Sequence, residues 1–472
     1  MAIPVGRLTV GPGFDAGREN RAVAELFVTF FRRDLLQFCP NLTFDDAGEP
    51  AASIDPSAAP NFRLASVEGR GAGVELFGAR FRLVPRPGTR ITPHDRRMIR
   101  SIGAVLSLRY HHLFRLGNSS RLELYRGGSE DHYVAAFVEP SAYAPSVSRP
   151  SRVASTIQTL RVAALSTYEN RRVSTGALLL GRAARSPRRP TPTPHDALPY
   201  GVELTALKSI HRLCDGRRTL FLVDREGRLA EIVDIARWSA EVPSRTRAVT
   251  PSARAYAAHA RATRSGGHVC LVLSPNQEIK LFAGGVQAFA FAHGRWRTLD
   301  PSAHFASWEA AVARPELARS LFQAALDLAE TRQGGLFVVV NDPAEAIGRL
   351  ISPQDALDSP EARPDGPPAE GDLMAKRDLH YLARGRDVAG LDPSVLEALA
   401  CIDGATVVDR QGRLIAFGAI LRNDPAAQHD ATVAEGARTT AAFAASRFGP
   451  VLKISEDGVI SCFLDGVRAW EM

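Results

Sequence analysis

Apolar residues in the last third of the chain fall into short runs separated by turn residues. Two strand-like runs surround a turn at Gln411-Gly412, and a final hairpin turns at Asp457-Gly458. An Asx-Gly pair between apolar runs is a specific signal for a β-hairpin. Between the two strand pairs, small residues from about Ala437 are typical of a short helix. This part of the chain therefore predicts strand pairs that flank a helix.

Helical periodicity is clearest near residue 100. Thr92 is a good N-cap residue, Pro93 suits the first helical position, and Asp95 follows in the first turn. We expect this helix to run to about Phe114. Its apolar face is formed by Met98, Ile99, Ile102, Val105 and Leu106 at i, i+3, i+4 spacing.

Helices alternate with strand pairs through the rest of the chain. The patterns predict helices at residues 154–170, 252–263, 315–331, 376–384 and 393–400, strands at 173–180 and 335–341, and hairpins at 219–235 and 268–291. Such alternation predicts the α/β class, with mixed β-sheets flanked by helices. We expect three domains: an N-terminal α+β unit at 1–148, a middle unit at 152–300 and a C-terminal unit at 310–472. Proline-rich stretches at 140–150 and 185–199 are predicted linkers.

The middle unit matches the C-terminal unit in sequence. Residues 163–165 match 324–326 at an offset of 161, and the glycine-led strands 176–180 and 335–339 follow. Residues 223–229 match 408–414 at an offset of 185, and Ala253-Arg254 matches Ala437-Arg438 at 184. A single insertion near 352–370 explains most of the jump. We interpret this as an internal repeat, degenerate in the middle unit; chance similarity between two α/β units is the alternative.

Composition narrows the class of protein. The 472 residues carry a net charge of +7, contributed mainly by arginine. Arginine pairs well with phosphate, although an arginine-rich proteome explains the same excess. Basic runs with interleaved aromatics are absent from the sequence, so we expect no nucleic-acid partner. The five cysteines lack metal-site spacing, and the sequence shows neither a signal-peptide pattern nor a membrane-length apolar run. We expect a soluble, cytoplasmic protein with reduced thiols and no membrane partner.

Two short motifs carry candidate chemistry. Asp403-Gly404-Ala405 places a carboxylate beside a glycine where a strand begins. Gly436-Ala437-Arg438 places a glycine and a cation where a helix begins. A glycine-opened helix N-terminus offers free N–H groups and a positive dipole end, which suits phosphate.

These motifs, with Gly334-Gly335-Leu336-Phe337-Val338-Val339 before them and Ser455-Glu456-Asp457 after them, resemble the diadenylate cyclase (DAC) domain family in order and spacing. The resemblance covers about the last third of the chain, and the middle unit is similar in a more degenerate form. It implies that Asp403 meets a ribose hydroxyl or a metal, and that Gly404 and Ala405 let the strand end approach the base. It also implies that Gly436 and Arg438 hold phosphate, with Thr439 and Thr440 beside them, and that Glu456 assists a cation.

Departures from the family pattern bear on activity. Ile402 stands where the family usually has a histidine, and Thr439 and Thr440 replace the histidine and second arginine of its Arg-His-Arg triplet. Losing such groups removes charge stabilisation on which catalysis depends. The chain therefore resembles the DAC-derived nucleotide-sensor variants, and we expect a catalytically degenerate binding protein for a nucleotide or cyclic dinucleotide.

Two alternatives remain open. The first is an active diadenylate cyclase that joins two ATP molecules with Mg²⁺ or Mn²⁺, Asp403 being catalytic and Asp403 and Glu456 binding the metal. The second is a ligand-free interaction scaffold. Family cyclases work as two facing domains, which implies either a homo-oligomer or an internal pseudo-dimer. In the pseudo-dimer, Arg254 would join Arg438 at one ligand.

Overall fold

The computed structural model describes residues 16–45, 62–66, 71–77, 79–86, 89–114, 122–144, 147, 149–181, 197–206, 210–242, 250–358, 376–422 and 436–472. Most of the predicted linker 185–199 and most of the insertion 352–370 lie outside these residues. The chain divides into two compact units. The first contains Met1–Asp234, Gly266–Leu281 and Phe289–Thr298, and the second contains Ile235–Ser265, Phe282–Ala288 and Leu299–Met472.

The N-terminal part combines helices with a four-stranded sheet of order β1-β4-β3-β2. Its elements are α1 (Ala16–Phe38), β1 (Leu42–Asp45), β2 (Phe62–Ser66), β3 (Ala72–Leu76), β4 (Ala79–Pro85), α2 (Pro93–Phe114) and α3 (Ser129–Val138). The predicted cap of α2 is confirmed, since Thr92 Oγ1 accepts the Asp95 N–H at 3.0 Å and the Asp95 carboxylate accepts the Thr92 N–H at 2.8 Å. All five residues of the predicted apolar face are buried.

The middle part of the chain forms a seven-stranded sheet of order β13-β12-β11-β10-β7-β8-β9. Its elements, with a small hairpin of β5 and β6, are α4 (Arg152–Ala164), β5 (Thr167–Tyr168), β6 (Arg171–Arg172), β7 (Thr175–Leu179), α5 (Ile210–Leu213), β8 (Thr219–Val223), β9 (Leu229–Asp234), α6 (Ile235–Ala240), α7 (Ala257–Ala262), β10 (Val269–Leu273), β11 (Ile279–Ala283), β12 (Val286–Ala292) and β13 (Arg295–Thr298). Strand β7 runs parallel to β8 and antiparallel to β10.

The C-terminal part forms a six-stranded sheet of order β16-β15-β14-β17-β18-β19. Its elements are α8 (Pro301–Val312), α9 (Pro315–Glu330), β14 (Gly335–Val340), α10 (Pro343–Arg349), α11 (Pro393–Ala400), β15 (Ala405–Asp409), β16 (Leu414–Ala419), α12 (Ala437–Ala445), β17 (Val451–Ile454), β18 (Ile460–Leu464) and β19 (Val467–Glu471). Strand β14 runs parallel to β15 and antiparallel to β17. The predicted mixed α/β architecture is therefore confirmed.

The two large sheets share their strand order. Read from β9 and from β16, both run through a parallel central pair to an antiparallel neighbour on the far side. Leu179 pairs with Val223 as Val339 pairs with Val408, which aligns the central strands at an offset of 160 residues. The match of strand 176–180 with 335–339 is thus one residue out of register. Apolar residues alone do not specify register in strands buried on both faces.

Corresponding turns repeat the same hydrogen bonds. The Asp224 carboxylate accepts the Arg228 N–H at 2.8 Å, and the Asp409 carboxylate accepts the Arg413 N–H at 2.8 Å. The Ser274 hydroxyl accepts the Glu278 N–H at 3.3 Å, as the Ser455 hydroxyl accepts the N–H of residue 459. Turn geometry is thus preserved where the side chains around it differ.

Three predicted helices differ from the structure. The helix predicted at 252–263 begins as a 3-10 turn, Arg254–Tyr256, and is α-helical only over Ala257–Ala262. The helix predicted at 154–170 ends at Ala164, because Glu169 and Asn170 adopt positive φ at the turn of the β5–β6 hairpin. Residues predicted as a helix at 376–384 form a 3-10 helix, Lys376–Leu382. Four cysteines are buried and Cys401 is exposed; all five are free thiols. No helix among the described residues is long and apolar enough to cross a membrane.

The C-terminal sheet is covered on both faces. One core cluster joins α8, α9 and α11 to alternate strand residues such as Phe337, Val339 and Leu452. The other joins α10 and α12 to the intervening residues Leu336, Val338 and others. Because both faces are covered, polar side chains concentrate where the strands begin and end.

Candidate functional site

The predicted site residues meet at one edge of the C-terminal sheet. Strands β14 and β15 are parallel, so their amino ends lie together, and antiparallel β17 ends at the same edge. Asp403 lies two residues before β15, and Glu456 lies two residues after β17. Arg438 lies in the first turn of α12, within reach of both carboxylates. The topology therefore brings together residues that are 35 and 18 positions apart in sequence.

One glycine at this edge is sterically required, and a second lies against the Arg438 side chain. Gly404 has φ of +113°, and a Cβ there would overlap the backbone of Gly418 and Ala419. A Cβ at Gly334 would overlap the guanidinium of Arg438. Ala405 is buried as the first residue of β15 and pairs with Ala419. The edge is thus shaped so that Arg438 lies directly against the backbone.

Arg438 is only loosely paired. Its Nη2 lies 3.9 Å from the Asp403 carboxylate, and its Nη1 lies 3.5 Å from the Glu456 carboxylate. Strong charge-assisted hydrogen bonds are about 2.7–2.9 Å long. The Asp403 side chain is 100% exposed and that of Glu456 74%, so both contacts are solvated and weak. The guanidinium can therefore turn its N–H groups towards an anionic ligand at little cost.

Lys453 lies beside the predicted site residues and was not itself predicted from the sequence. Its Nζ donates to Thr439 Oγ1 at 3.0 Å, and Thr439 itself is buried. Lys453 is the one charged residue in the β17 sequence VLKI, and a cation within an apolar strand was the available signal. It places a positive charge beside a position where the DAC family carries a histidine. Thr440 follows on α12 and is half-buried.

Gly436 is the N-cap of α12 and is exposed, with open space where a Cβ would stand. Nine residues follow it in the helix. The first N–H groups of a helix lack intrahelical partners and attract anions. Gly436 thus presents an accessible helix start next to Arg438.

Arg254, the counterpart of Arg438 in the repeat, has a different environment. Its backbone N–H donates to Asp327 at 2.6 Å, its Nε donates to the same carboxylate at 2.9 Å, and its Nη2 pairs with Glu397. Asp327 is buried and also accepts from Gln323 at 3.1 Å. Burial and the charge of Asp327 raise the pKa of Glu397, and Arg254 opposes that shift. Arg254 therefore clamps α9 and α11.

A series of contacts leads from this clamp to Arg438. The backbone carbonyl of Glu397 accepts the Cys401 N–H at 3.0 Å, one turn along α11. The Cys401 thiol donates to Gln333 at 3.2 Å, and Gln333 precedes Gly334, against which Arg438 packs. Burial, then the charge of Glu397, raises the pKa of Cys401. This series of contacts connects the two arginines. That Arg254 and Arg438 share one ligand remains a prediction.

The donor set at the edge offers two carboxylates for a metal ion. No group of three or more histidine, cysteine, aspartate or glutamate side chains that could hold a metal occurs in the described part of the chain. Mg²⁺ is often held by one or two carboxylates completed by substrate phosphates and water. Two carboxylates supply too few oxygen ligands for Mg²⁺, so Asp403 and Glu456 fit that arrangement only together with the phosphates of a ligand.

Two solved structures are similar to about a third of the chain. No family model and no curated protein matches the chain. One similar solved structure is a hypothetical membrane spanning protein from Bacillus cereus, 20% identical, with a TM-score of 0.24 over 35% of this chain and 69% of that one. Another is DacA from Staphylococcus aureus, a diadenylate cyclase, 19% identical, with a TM-score of 0.21 over 34% of this chain and 89% of that one. Both TM-scores lie below 0.5, so the functional proposal rests on residues and contacts.

Proposed function

We propose that the edge formed by β14, β15, β17 and α12 binds a nucleotide or cyclic dinucleotide and does not catalyse its conversion to a product. The observation that carries this proposal is the loosely paired Arg438 at the exposed start of α12. A phosphate would accept from its guanidinium and from the free N–H groups of the helix. Lys453 adds a second positive charge near this position.

The two carboxylates suit the rest of such a ligand. Asp403 is fully exposed, so it can accept a hydrogen bond from a ribose hydroxyl. Because Gly404 has no side chain and Ala405 has a small one, the backbone at the start of β15 leaves space beside Asp403. Glu456 can balance the charge of a cation that accompanies the phosphates.

A thermal-shift panel tests the proposal. ATP, GTP, cyclic mononucleotides and cyclic dinucleotides are compared with and without Mg²⁺, since a specific ligand stabilises the native state by mass action. The Arg438→Ala variant should weaken binding of the stabilising nucleotide by about 1.5–3 kcal/mol, the contribution of a hydrogen bond to a charged group. Arg447→Ala is the matched control, because Arg447 is exposed just beyond the other end of α12. Equal affinity in both variants would rule out the phosphate contact.

An active diadenylate cyclase is the second candidate, favoured by the position of Asp403 next to Arg438. Against it, the triplet positions are threonines, and Thr439 is buried against Lys453. We expect no cyclic di-AMP after incubation with ATP and Mn²⁺ or Mg²⁺. Product that disappears in the Asp403→Asn variant would establish catalysis instead. If no nucleotide binds and no product forms, the interaction scaffold is favoured.

A further inference from the structure

A cavity of about 280 Å³ lies in the first unit, at the carboxyl end of β8. Its wall includes Val223 at the end of β8, residues 225–227 of the turn that follows, and residues 151, 152, 155 and 156 at the start of α4. Ligands of open α/β sheets bind outside the carboxyl ends of the strands. The volume lies at the small end of the range for ligand pockets, about 300–1,000 Å³. The cavity therefore suits a small molecule.

The charged side chains around the cavity favour an anion. Arg149, Arg152 and Arg225 line it together with Glu139 and Glu226, which leaves one positive charge in excess. Burial, together with the charges of Arg225 and Arg152, lowers the pKa of nearby His268. The same positive potential that disfavours protonation of this histidine would stabilise an anion in the cavity.

Arg152 is the best-defined cationic group in the wall. Its Nη1 donates to the carbonyls of Leu180 at 2.9 Å and Asp224 at 2.8 Å, and its Nη2 donates to Glu139 at 3.0 Å. Its side chain is 14% exposed. A guanidinium has five N–H groups. Its Nε–H and one Nη2–H have no acceptor among the residues that the structure describes, so donors remain for a ligand.

The rest of the wall combines apolar surface with a hydroxyl. Ala142, Val147, Pro150 and Pro199 contribute apolar surface, and Ser155 is half-buried on the wall. Pockets of this kind bury an apolar body and fix its orientation with a few polar groups. We propose that the cavity binds a small molecule that carries a phosphate or carboxylate group on an apolar body. This site is separate from the nucleotide edge and does not depend on it.

Three probes test the proposal on the full chain: phenyl phosphate, benzoate and inorganic phosphate, each titrated by calorimetry and by thermal shift. We expect an organic anion to bind and to raise Tm, and phenyl phosphate against benzoate identifies the preferred anionic group. The Ser155→Phe variant fills the cavity and should weaken binding at least tenfold. A double variant, Arg149→Gln with Arg225→Gln, should have a similar effect by removing charge.

Controls separate this site from others. Arg217→Gln removes an exposed arginine that does not line the cavity, so it should leave the affinity unchanged. Arg438→Ala tests the nucleotide edge and should also leave it unchanged. Failure of all three probes to bind would overturn the proposal. Three other results would also overturn it. They are binding that persists in both cavity variants, binding that is lost in Arg438→Ala, and binding of the organic anions that is no tighter than binding of inorganic phosphate.

Discussion

The middle and C-terminal sheets have the same strand order but differ in how they use equivalent residues. Arg438 is paired at 3.5 and 3.9 Å with exposed carboxylates. Arg254, at the equivalent position, donates its guanidinium Nε–H to the buried Asp327 at 2.9 Å, and its backbone N–H donates to the same carboxylate. A guanidinium whose acceptors are buried and close is committed to structure, whereas one with solvated, distant acceptors remains available for a ligand.

Asp215-Gly216, in the middle part of the chain, also differs from Asp403-Gly404, although the two pairs do not occupy equivalent positions in the two sheets. Asp215 accepts N–H groups from Arg217, Arg218 and Thr219, and it also pairs with the Arg218 side chain. Burial alone would raise its pKa, but these hydrogen bonds outweigh burial and lower the pKa to about 2. Asp403 is fully exposed beside Arg438. Sheets with the same strand order can therefore carry polar residues in different roles: Asp215 makes structural contacts, whereas Asp403 is exposed.

The largest expected effect is at Gly404. The Gly404→Ala substitution forces a side chain into φ of +113° and against the backbone of β16, so it should lower the free energy of unfolding by about 2–4 kcal/mol. Gly436→Ala is the control, because φ there is −60° and nothing lies near the added Cβ. Chemical denaturation of both variants measures the difference. Similar midpoints would show that the Asp-Gly turn is not constrained as described.

Substitution of Arg254 should lower stability, whereas substitution of Arg438 should weaken nucleotide binding. Arg254→Ala leaves a buried carboxylate with one partner fewer and should cost about 1–3 kcal/mol of stability. Arg438→Ala removes only solvated contacts and should leave Tm nearly unchanged while it weakens nucleotide binding. Thermal unfolding and calorimetry give both quantities. If Arg254→Ala also weakens nucleotide binding in a variant that remains folded, Arg254 shares the ligand and the contrast fails.

The smallest effect concerns pH. Because the pKa of Asp215 is lower in the folded protein than the unfolded value of about 3.9, the carboxylate stabilises the fold above about pH 4. This contribution is lost as pH falls through about 2. Allowing for solvent screening, Asp215→Asn should cost about 1 kcal/mol at pH 7. The difference from the native chain should shrink in acid, and a pH-independent difference would contradict it. Asp403→Asn should leave Tm unchanged.

Sequence alone determined what depends on near neighbours. The cap at Thr92, the hairpin turn at Asp457-Gly458 and the helix from Pro393 follow from local spacing and local hydrogen bonds. The α/β class with mixed sheets also followed from the sequence, because helices that alternate with strand pairs allow few layer arrangements.

Tertiary structure decided what depends on distant partners. The one-residue shift between the central strands of the two sheets is set by pairing with β8 and β15, and strands buried on both faces carry no alternation to reveal it. The fate of Arg254 depends on Asp327, 73 residues away, and the role of Lys453 depends on Thr439 on the next element back. Whether an arginine binds a ligand or a buried carboxylate is a matter of what the fold places beside it, which spacing along the chain does not encode.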